Sequence, residues 1–350
     1  MYFSYKQNFV SLIILVLLTA VITSSCHRQE HSNNENTATV TSDSVSDELT
    51  LLNARVAQAP GMVAPYLERA GYFARNNMPN EALQDLNSAL TINEKDPEIY
   101  STLSDAYMYD GKMQRSLDAI KKARELSPDV GAYDVKMARI YLTMSDYKQT
   151  FNALRDGLRK DPNNAEAFFI SGLANEEMGD TLKAIDNYQM AVAKKQDHYE
   201  ALKQLGILFS LQRNRLAIDY LRNAASLRPD SPDPLYILAM HYQENGDPDK
   251  ALGTYGEILL INPSNKLAHY NKGYVFLVYK TDYLQAIESF SKAIELDSDY
   301  ADAYYNRALS YELLGDKKAA RTEYEKVLRL KVNDEKTISG LNRLDASEGK

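Results

Sequence analysis

The chain has no tryptophan and only one cysteine, Cys26, among its 350 residues. A single thiol excludes an internal disulfide and a zinc site built from cysteines. The chain also has no basic surplus, because 40 Lys and Arg residues stand against 48 Asp and Glu residues and give a net charge of −8. Since nothing in this balance would neutralise phosphates, we expect no nucleic-acid partner.

Long apolar runs are lacking as well. The N-terminal run over residues 9–21 is shorter than the roughly 20 apolar residues of a membrane-spanning helix. It follows Lys6 and leads into two serines and Cys26, which predicts a secretory signal. The small residues before Cys26 resemble the lipobox of bacterial lipoproteins, in which the cysteine is lipidated and becomes the mature N-terminus. Thr23 stands where that family usually has Leu, and the alternative is an ordinary signal with an incidental cysteine.

The N-terminal segment is therefore predicted to be a secretion signal followed by a lipid-modified cysteine. We expect a lipoprotein signal peptide over residues 1–25 and a lipid on Cys26 that holds the protein on a membrane of a bacterial cell envelope. Residues 26–45 are rich in Ser, Asn, Thr and Glu and have too few apolar residues to fold. We predict that they form a flexible tether, and the membrane leaflet stays open.

What the sequence has in abundance is an internal repeat of about 34 residues. Small residues recur at fixed points, which lets two helices approach closely while large neighbours fill the holes. The first series, with spacings of 33 to 35, is Ala70, Ser104, Ala138, Gly172, Gly206, Ala239, Gly273 and Ala308. The second series is Ala82, Ser116, Thr150, Ala184, Ala217, Ala251, Ala286 and Ala320.

Helix-ending and helix-starting residues fall between these series. A glycine with positive φ ends a helix well, and an Asp that follows it can cap the next helix. Proline closes a helix because it cannot continue one. The glycines are Gly111, Gly179, Gly246 and Gly315, the Asp caps are Asp180, Asp247 and Asp316, and the closing prolines are Pro128, Pro162, Pro229 and Pro263.

These positions together resemble the tetratricopeptide repeat, a helix hairpin of 34 residues. The sixth repeat carries the pattern in Leu235, Ala239, Tyr242, Ala251, Tyr255 and Pro263. The resemblance implies an all-α, right-handed superhelical solenoid of antiparallel helix hairpins, with about eight repeats over residues 63–331. Exposed apolar ends of a solenoid need caps, and we predict an N-terminal capping helix within residues 46–62. A C-terminal cap within residues 332–350 would use Ile338, Leu341 and Leu344.

The resemblance also implies a function, because such arrays generally bind peptides or protein segments in a concave groove lined by their first helices. A row of aromatic residues at solvent-facing positions suggests a binding surface, and the alternative is that these side chains pack on neighbouring first helices. Asn271 and Asn306 recur at one position of repeats seven and eight, as in the asparagine ladders of some peptide-binding arrays. Fixed offsets assign to the groove Tyr109, Arg139, Phe169, Tyr236, Met240, Tyr270, Tyr274 and Tyr305.

Catalytic motifs are missing. The five histidines lack metal-binding spacing, and the chain contains no Gly-x-Ser-x-Gly elbow and no phosphate-binding loop. We therefore predict no enzyme activity, no cofactor or metal site, and no small-molecule substrate. The favoured function is a membrane-anchored adaptor for a partner protein or peptide. The alternative is a structural subunit of an envelope complex for secretion, motility or outer-membrane assembly.

Overall fold

The computed structural model describes residues 41–348, with side chains for residues 47–347. The predicted signal peptide and Cys26 lie outside the described residues. Of the described residues, 41–58 and 59–348 belong to separate compact units. The first unit contains helix α1, Thr41–Gln58, which begins inside the segment predicted to be a tether. Val45 belongs to the same helical apolar series as Leu49, Leu52 and Val56, and this periodicity favours the longer helix.

The second unit consists of eight helix hairpins and a final helix, and residues 41–348 contain no β-strand. The two helices of each hairpin pack most extensively on each other, and each second helix packs next on the helix that follows it in the chain, which confirms the all-α repeat array. The hairpins are α2 Val63–Arg75 with α3 Pro79–Ile92, α4 Pro97–Tyr109 with α5 Met113–Leu126, α6 Gly131–Thr143 with α7 Tyr147–Lys160, α8 Ala165–Glu177 with α9 Thr181–Lys194, α10 Tyr199–Leu211 with α11 Leu216–Leu227, α12 Asp233–Glu244 with α13 Pro248–Ile261, α14 Lys266–Val275 with α15 Tyr283–Leu296, and α16 Ala301–Leu314 with α17 Lys317–Leu330; helix α18 is Glu335–Glu348.

The small residues of both series lie at the helix crossings, where they are buried. A Cβ atom on Gly172 would lie 2.4 Å from the ring of Tyr188, and one on Gly206 would lie 2.5 Å from Leu221 Cγ. Both large residues come from the second helix of the same repeat, one turn after its own small residue. Large side chains therefore fill the space that the small residues leave, as the periodicity predicts.

The turn inside every hairpin contains one residue with left-handed backbone. Glycine occupies this position in the even-numbered repeats, with φ between 71° and 91°, which confirms the predicted helix ends. In the odd-numbered repeats the same conformation is taken by Asn77, Ser145, Arg213 and Thr281, with φ between 51° and 58°. The side chains of Asp180, Asp247 and Asp316 accept hydrogen bonds at the starts of the following helices, as expected for N-caps.

Two repeats depart from the 34-residue period, and each has a local cause. In repeat five the turn after Arg213 is one residue shorter. Helix α11 begins at Leu216, and Arg215 at its N-cap position makes no side-chain capping hydrogen bond. In repeat seven one extra residue is absorbed at the end of α14, where Phe276–Lys280 form a π-helical turn. In both repeats the residue that is missing or added lies between the small residues of the two helices. The helix crossings therefore keep their register.

Tyrosines in three second helices bond to a polar residue of the first helix twelve positions earlier. The hydroxyls of Tyr188 and Tyr324 donate to Glu176 and Glu312 at 2.6 Å, and Tyr255 donates to Gln243 at 3.3 Å. Repeats that lack the tyrosine hydroxyl have Leu, Met, Ala or Ser at the polar position. A buried hydroxyl needs a partner, and this spacing supplies it.

The pKa values of the two carboxylates in these pairs, Glu176 and Glu312, are shifted in opposite directions. Burial raises the pKa of Glu176, and its bond from Tyr188 only partly opposes this. Burial also acts to raise the pKa of Glu312, but the hydrogen bonds from Arg343 and Tyr324 lower it below its usual value. The contribution of Glu176 to stability therefore grows as pH falls through its folded-state pKa, whereas that of Glu312 is lost as pH falls.

The first and last repeats share an ion pair that the inner repeats lack. Arg69 binds Asp85 through two bonds of 2.8 and 2.7 Å, and Arg307 binds Glu323 through bonds of 2.8 and 3.2 Å. The partners lie sixteen residues apart in both cases and occupy equivalent positions. The inner repeats carry no such pair at these positions, in keeping with the atypical terminal repeats of solenoids.

Helix α18 covers the second helix of repeat eight. Leu344 is 2% exposed and belongs to a buried cluster with Ala308, Ala320 and Tyr324. Leu341 packs against this cluster, and a Cβ on Gly340 would lie 2.7 Å from the Tyr324 ring. Ile338, which shares the predicted apolar side of this helix, is 40% exposed instead.

Candidate protein-binding surface

Four aromatic residues occupy the same first-helix position in repeats four, six, seven and eight. Each ring lies against an aromatic ring of the second helix in its own repeat, and this contact buries one edge. The pairs are Phe169 with Tyr188 at 5.6 Å, Tyr236 with Tyr255 at 6.3 Å, Tyr270 with Phe290 at 5.6 Å, and Tyr305 with Tyr324 at 5.7 Å between ring centroids.

Two of these tyrosines are also tied to the next repeat. Asn271 Nδ2 donates to the Tyr236 hydroxyl at 2.8 Å, and Asn306 Nδ2 donates to the Tyr270 hydroxyl at 2.8 Å. The two asparagines recur at one position because each bonds to the tyrosine hydroxyl one repeat earlier. The bonds hold the first helices of repeats six, seven and eight in a fixed relation.

Tyr274 lies one helical turn after Tyr270, and its ring meets Tyr279 edge to face at 6.4 Å. Tyr279 belongs to the π-helical turn and is 40% exposed. Sequence offsets missed Tyr279, although the 35-residue spacing of repeat seven marked where the chain departs from the regular hairpin. Leu309 of repeat eight packs on the same cluster as Tyr270 and Tyr274.

The eight predicted groove residues divide into two groups. We call Tyr236, Tyr270, Tyr274 and Tyr305 the tyrosine strip; all four are half-buried, and they belong to three consecutive repeats. The other four are Tyr109, which is 53% exposed, Arg139, which is ion-paired with Glu166, and Phe169 and Met240, which are 7% and 8% exposed.

Phe169 and Met240 therefore differ from the solvent-facing side chains that the offsets predict. Phe169 contacts the rings of Tyr188, 5.6 Å away, and His198, 5.0 Å away, and these contacts help to bury it. The strip tyrosines do pack within the protein, as the alternative reading predicts in part: they contact the second helix of their own repeat, and Tyr236 and Tyr270 also contact the next repeat. Their part in partner binding stays a prediction.

Two of the histidines have structural partners. His198 caps helix α10 by accepting the Ala201 backbone N–H at 3.3 Å, and His241 lies 3.2 Å from the Ser210 hydroxyl. Burial lowers the pKa of both imidazoles. Within residues 47–347, no three His, Cys, Asp or Glu side chains are grouped so as to hold a metal ion.

Family models described as a tetratricopeptide repeat match residues 135–199, 208–271 and 301–333, and one described as a TPR repeat matches residues 277–315. Among curated relatives, Protein FlbA of Caulobacter vibrioides is 26% identical over 231 residues, which cover 65% of this chain and 38% of that protein. Serine/threonine-protein phosphatase 5 of Rattus norvegicus is 36% identical over 103 residues, which cover 29% of this chain and 20% of the phosphatase.

A solved structure shares the fold. The C-terminal part of a TPR repeat-containing protein from Cytophaga hutchinsonii aligns with a TM-score of 0.59 and 20% identity, over 68% of this chain and 98% of that structure. The chain spans less than half the length of the curated relatives named above. In the described part of the chain, no helix combines the length and apolar character needed to cross a bilayer.

Proposed function

Because the chain is a tetratricopeptide repeat protein, we propose that it is a membrane-anchored scaffold whose tyrosine strip binds an extended segment of a partner protein. The supporting observation is the strip itself: four half-buried tyrosines lie in three consecutive repeats, and two of them, Tyr236 and Tyr270, are hydrogen-bonded to the following repeat. Large aromatic side chains that are partly fixed and partly exposed lose little entropy on binding and dominate many interfaces.

Contacts within the protein fix the side-chain positions of two strip tyrosines in the absence of a partner. Ring contacts on the second helices and the two Asn–Tyr bonds hold Tyr236 and Tyr270 in place. A preorganised surface binds more tightly because the cost of ordering its side chains has already been met during folding.

The test of binding uses Tyr274 of the strip together with the adjacent Tyr279. Tyr270→Ala is unsuitable, because it would remove the contact with Phe290 and leave buried Asn306 without its acceptor. We expect Tyr274→Ala/Tyr279→Ala to reduce partner capture at least about tenfold while helix content stays unchanged. Capture is measured by crosslinking in the native host, purification and mass spectrometry, with circular dichroism on the same variant.

Leu260→Ala is the control for this test. Leu260 is a large apolar side chain on the second helix of repeat six and is 86% exposed, but it lies outside the strip. The control should capture the same partners as the parent protein. If the double variant folds normally and captures every partner at the parent level, the strip is not the binding surface.

The membrane anchor of this proposal rests on Cys26, the only thiol in the chain. We expect Cys26→Ala to release the protein from membranes or to leave the signal uncleaved. Fractionation and the apparent mass of the variant on a gel measure both results. A processed Cys26→Ala protein of normal size that still sediments with membranes would show that the anchor is not lipid on this residue.

A further inference from the structure

We propose that repeat five is an acid-sensitive joint of the array, which loosens when His198 and His241 become protonated. The two histidines are 9% and 4% exposed. They contact opposite ends of helix α10, because His198 caps its start and His241 meets Ser210 near its end. This inference does not depend on the tyrosine strip.

The cap at the start of α10 requires a neutral imidazole. His198 Nδ1 accepts the Ala201 backbone N–H at 3.3 Å, so the single proton of the neutral ring is on Nε2. A protonated imidazole carries hydrogen on both nitrogens and accepts no hydrogen bond. Protonation therefore opposes two donors at this point and leaves the Ala201 N–H without its acceptor, which removes the cap from the first turn of the helix.

The charges around His198 do not favour its protonation. Its Nε2 lies 3.5 Å from Glu166 Oε2 of α8, but this carboxylate is already paired with Arg139 of α6. Burial is the main cause that lowers the pKa of His198, and the positive charges of Lys195 and Arg139 add to it. A hydrogen bond with its own backbone and the charge of Glu200 on α10 oppose this shift only in part.

His241 contacts the other end of α10 from the first helix of repeat six. Its Nδ1 lies 3.2 Å from Ser210 Oγ and 3.3 Å from Asn245 Nδ2. Burial lowers the pKa of His241, and no charged side chain contributes to the shift. An imidazolium here would be a buried charge that no carboxylate offsets, which is unfavourable. Every other repeat carries a group here that does not titrate near neutral pH, namely Tyr72, Ala106, Ile140, Ala174, Leu208, Val275 and Ser310.

The direction of the pH effect follows from these shifts. An unfolded histidine has a pKa of about 6.5, so the unfolded chain takes up protons before the folded one does. Stability in repeat five is therefore lost as pH falls from about 6.5 through the folded-state pKa values of the two histidines. Burial raises the pKa of Glu176 and Glu177 in the neighbouring helix α8. Their contribution changes in the opposite direction and cannot produce this loss.

Loosening of repeat five would act on the whole array. Helix α10 packs on α9 of repeat four and on α12 of repeat six. In a solenoid each repeat contacts only its neighbours, so the first four repeats are coupled to the last three through repeat five. Acidification should therefore uncouple the tyrosine strip from repeats one to four.

The experiment measures amide hydrogen exchange of the full chain, purified in detergent, at pH 7.5 and pH 5.0 by mass spectrometry. Exposure times are scaled to the intrinsic exchange rates at each pH, so that the comparison reports local opening. We expect the opening of α10 relative to α4 of repeat two to rise about threefold or more on acidification. The upper limit is about thirtyfold for each histidine, since a group with a pKa of about 6.5 gains this factor at pH 5.0.

Two substitutions with models in this chain should remove the effect. His198→Asn keeps an acceptor that does not titrate, because Asn164 and Asn265 cap the equivalent helices of repeats four and seven. His241→Leu introduces the residue that repeat five has at the same position. In the double variant the opening of α10 should change with pH no more than that of α4. His269→Asn, in repeat seven, is the matched control and should keep the acid-induced opening of the parent.

The inference is overturned if α10 of the parent opens no more than α4 on acidification, or if the double variant keeps the acid-induced opening. Should the double variant already be open at pH 7.5, the single variant His198→Asn decides. Its α10 should be as protected as that of the parent at pH 7.5 and should open less at pH 5.0. An acid-induced opening equal to that of the parent would show that this cap is not the sensor.

Discussion

We expect Gly206→Leu to lower the free energy of unfolding by about 3 kcal/mol. A Cβ atom on Gly206 would already lie 2.5 Å from both Cγ and Cδ2 of Leu221, and the remaining leucine atoms would add to this overlap. Leu221 is completely buried, so it has no open space to move into. The two helices of repeat five must therefore separate, which also weakens their packing on repeats four and six.

The matched control for this substitution is Gly253→Ala. Gly253 lies inside helix α13, and a Cβ there would meet nothing within 4 Å. Alanine in a helix interior is favoured over glycine by about 1 kcal/mol, so the control should be slightly more stable than the parent. Urea denaturation followed by circular dichroism measures both variants. A Gly206→Leu midpoint equal to that of the parent would mean that the two helices of repeat five do not approach closely at Gly206.

The positions of the helix crossings were predictable from the sequence because every repeat meets the same steric demand. A small residue must recur wherever two helices touch, and the demand is visible as a period without knowledge of the coordinates. Gly206 was correctly placed although repeat five is one residue short, since the missing residue lies in the turn after Arg213. Only half of the hairpin turns could be predicted, because four of the eight left-handed residues in these turns are not glycine.

The detailed state of the candidate site could not be predicted in the same way. An offset along a helix gives the face from which a side chain leaves, but not the neighbour onto which its ring leans. Tyr188 and His198 help to bury Phe169, and Tyr236 is fixed by Asn271 of the next repeat. These outcomes depend on partners 19 to 35 residues away, which a single periodic pattern does not identify.

The ion pairs of the terminal repeats can be recognised in the sequence, but not from the periodicity of small residues alone. Arg69 and Arg307 stand one residue before the small residue of the first series, where repeats two, three, five and six have Leu or Met. Each arginine finds a carboxylate sixteen residues later, in the second helix of its own repeat. An arginine at a position that is apolar in four of the six inner repeats therefore indicates a partly buried partner, and the repeat spacing locates it.

We expect Glu323→Ala to destabilise the protein by about 3 kcal/mol. The side chains of Arg307 and Glu323 are each only 16% exposed, and Arg307 also donates to the Ser291 hydroxyl at 2.9 Å. Removing the carboxylate leaves a guanidinium that water reaches poorly and that has only the neutral Ser291 hydroxyl and the Tyr304 ring beside it. Replacing both partners by apolar residues of similar size, Arg307→Met/Glu323→Leu, should cost much less, because no unpaired charge remains.

Urea denaturation of the parent, Glu323→Ala, Arg307→Met and the double variant forms a thermodynamic cycle for this pair. Each single substitution should cost more than the double one, since only the single variants leave a charge without its partner. If Glu323→Ala unfolds at the parent midpoint, water reaches Arg307 freely and the pair is only a surface contact. If the double variant is as unstable as the single ones, the pair instead fixes how the two helices of repeat eight meet, and apolar side chains cannot replace its geometry.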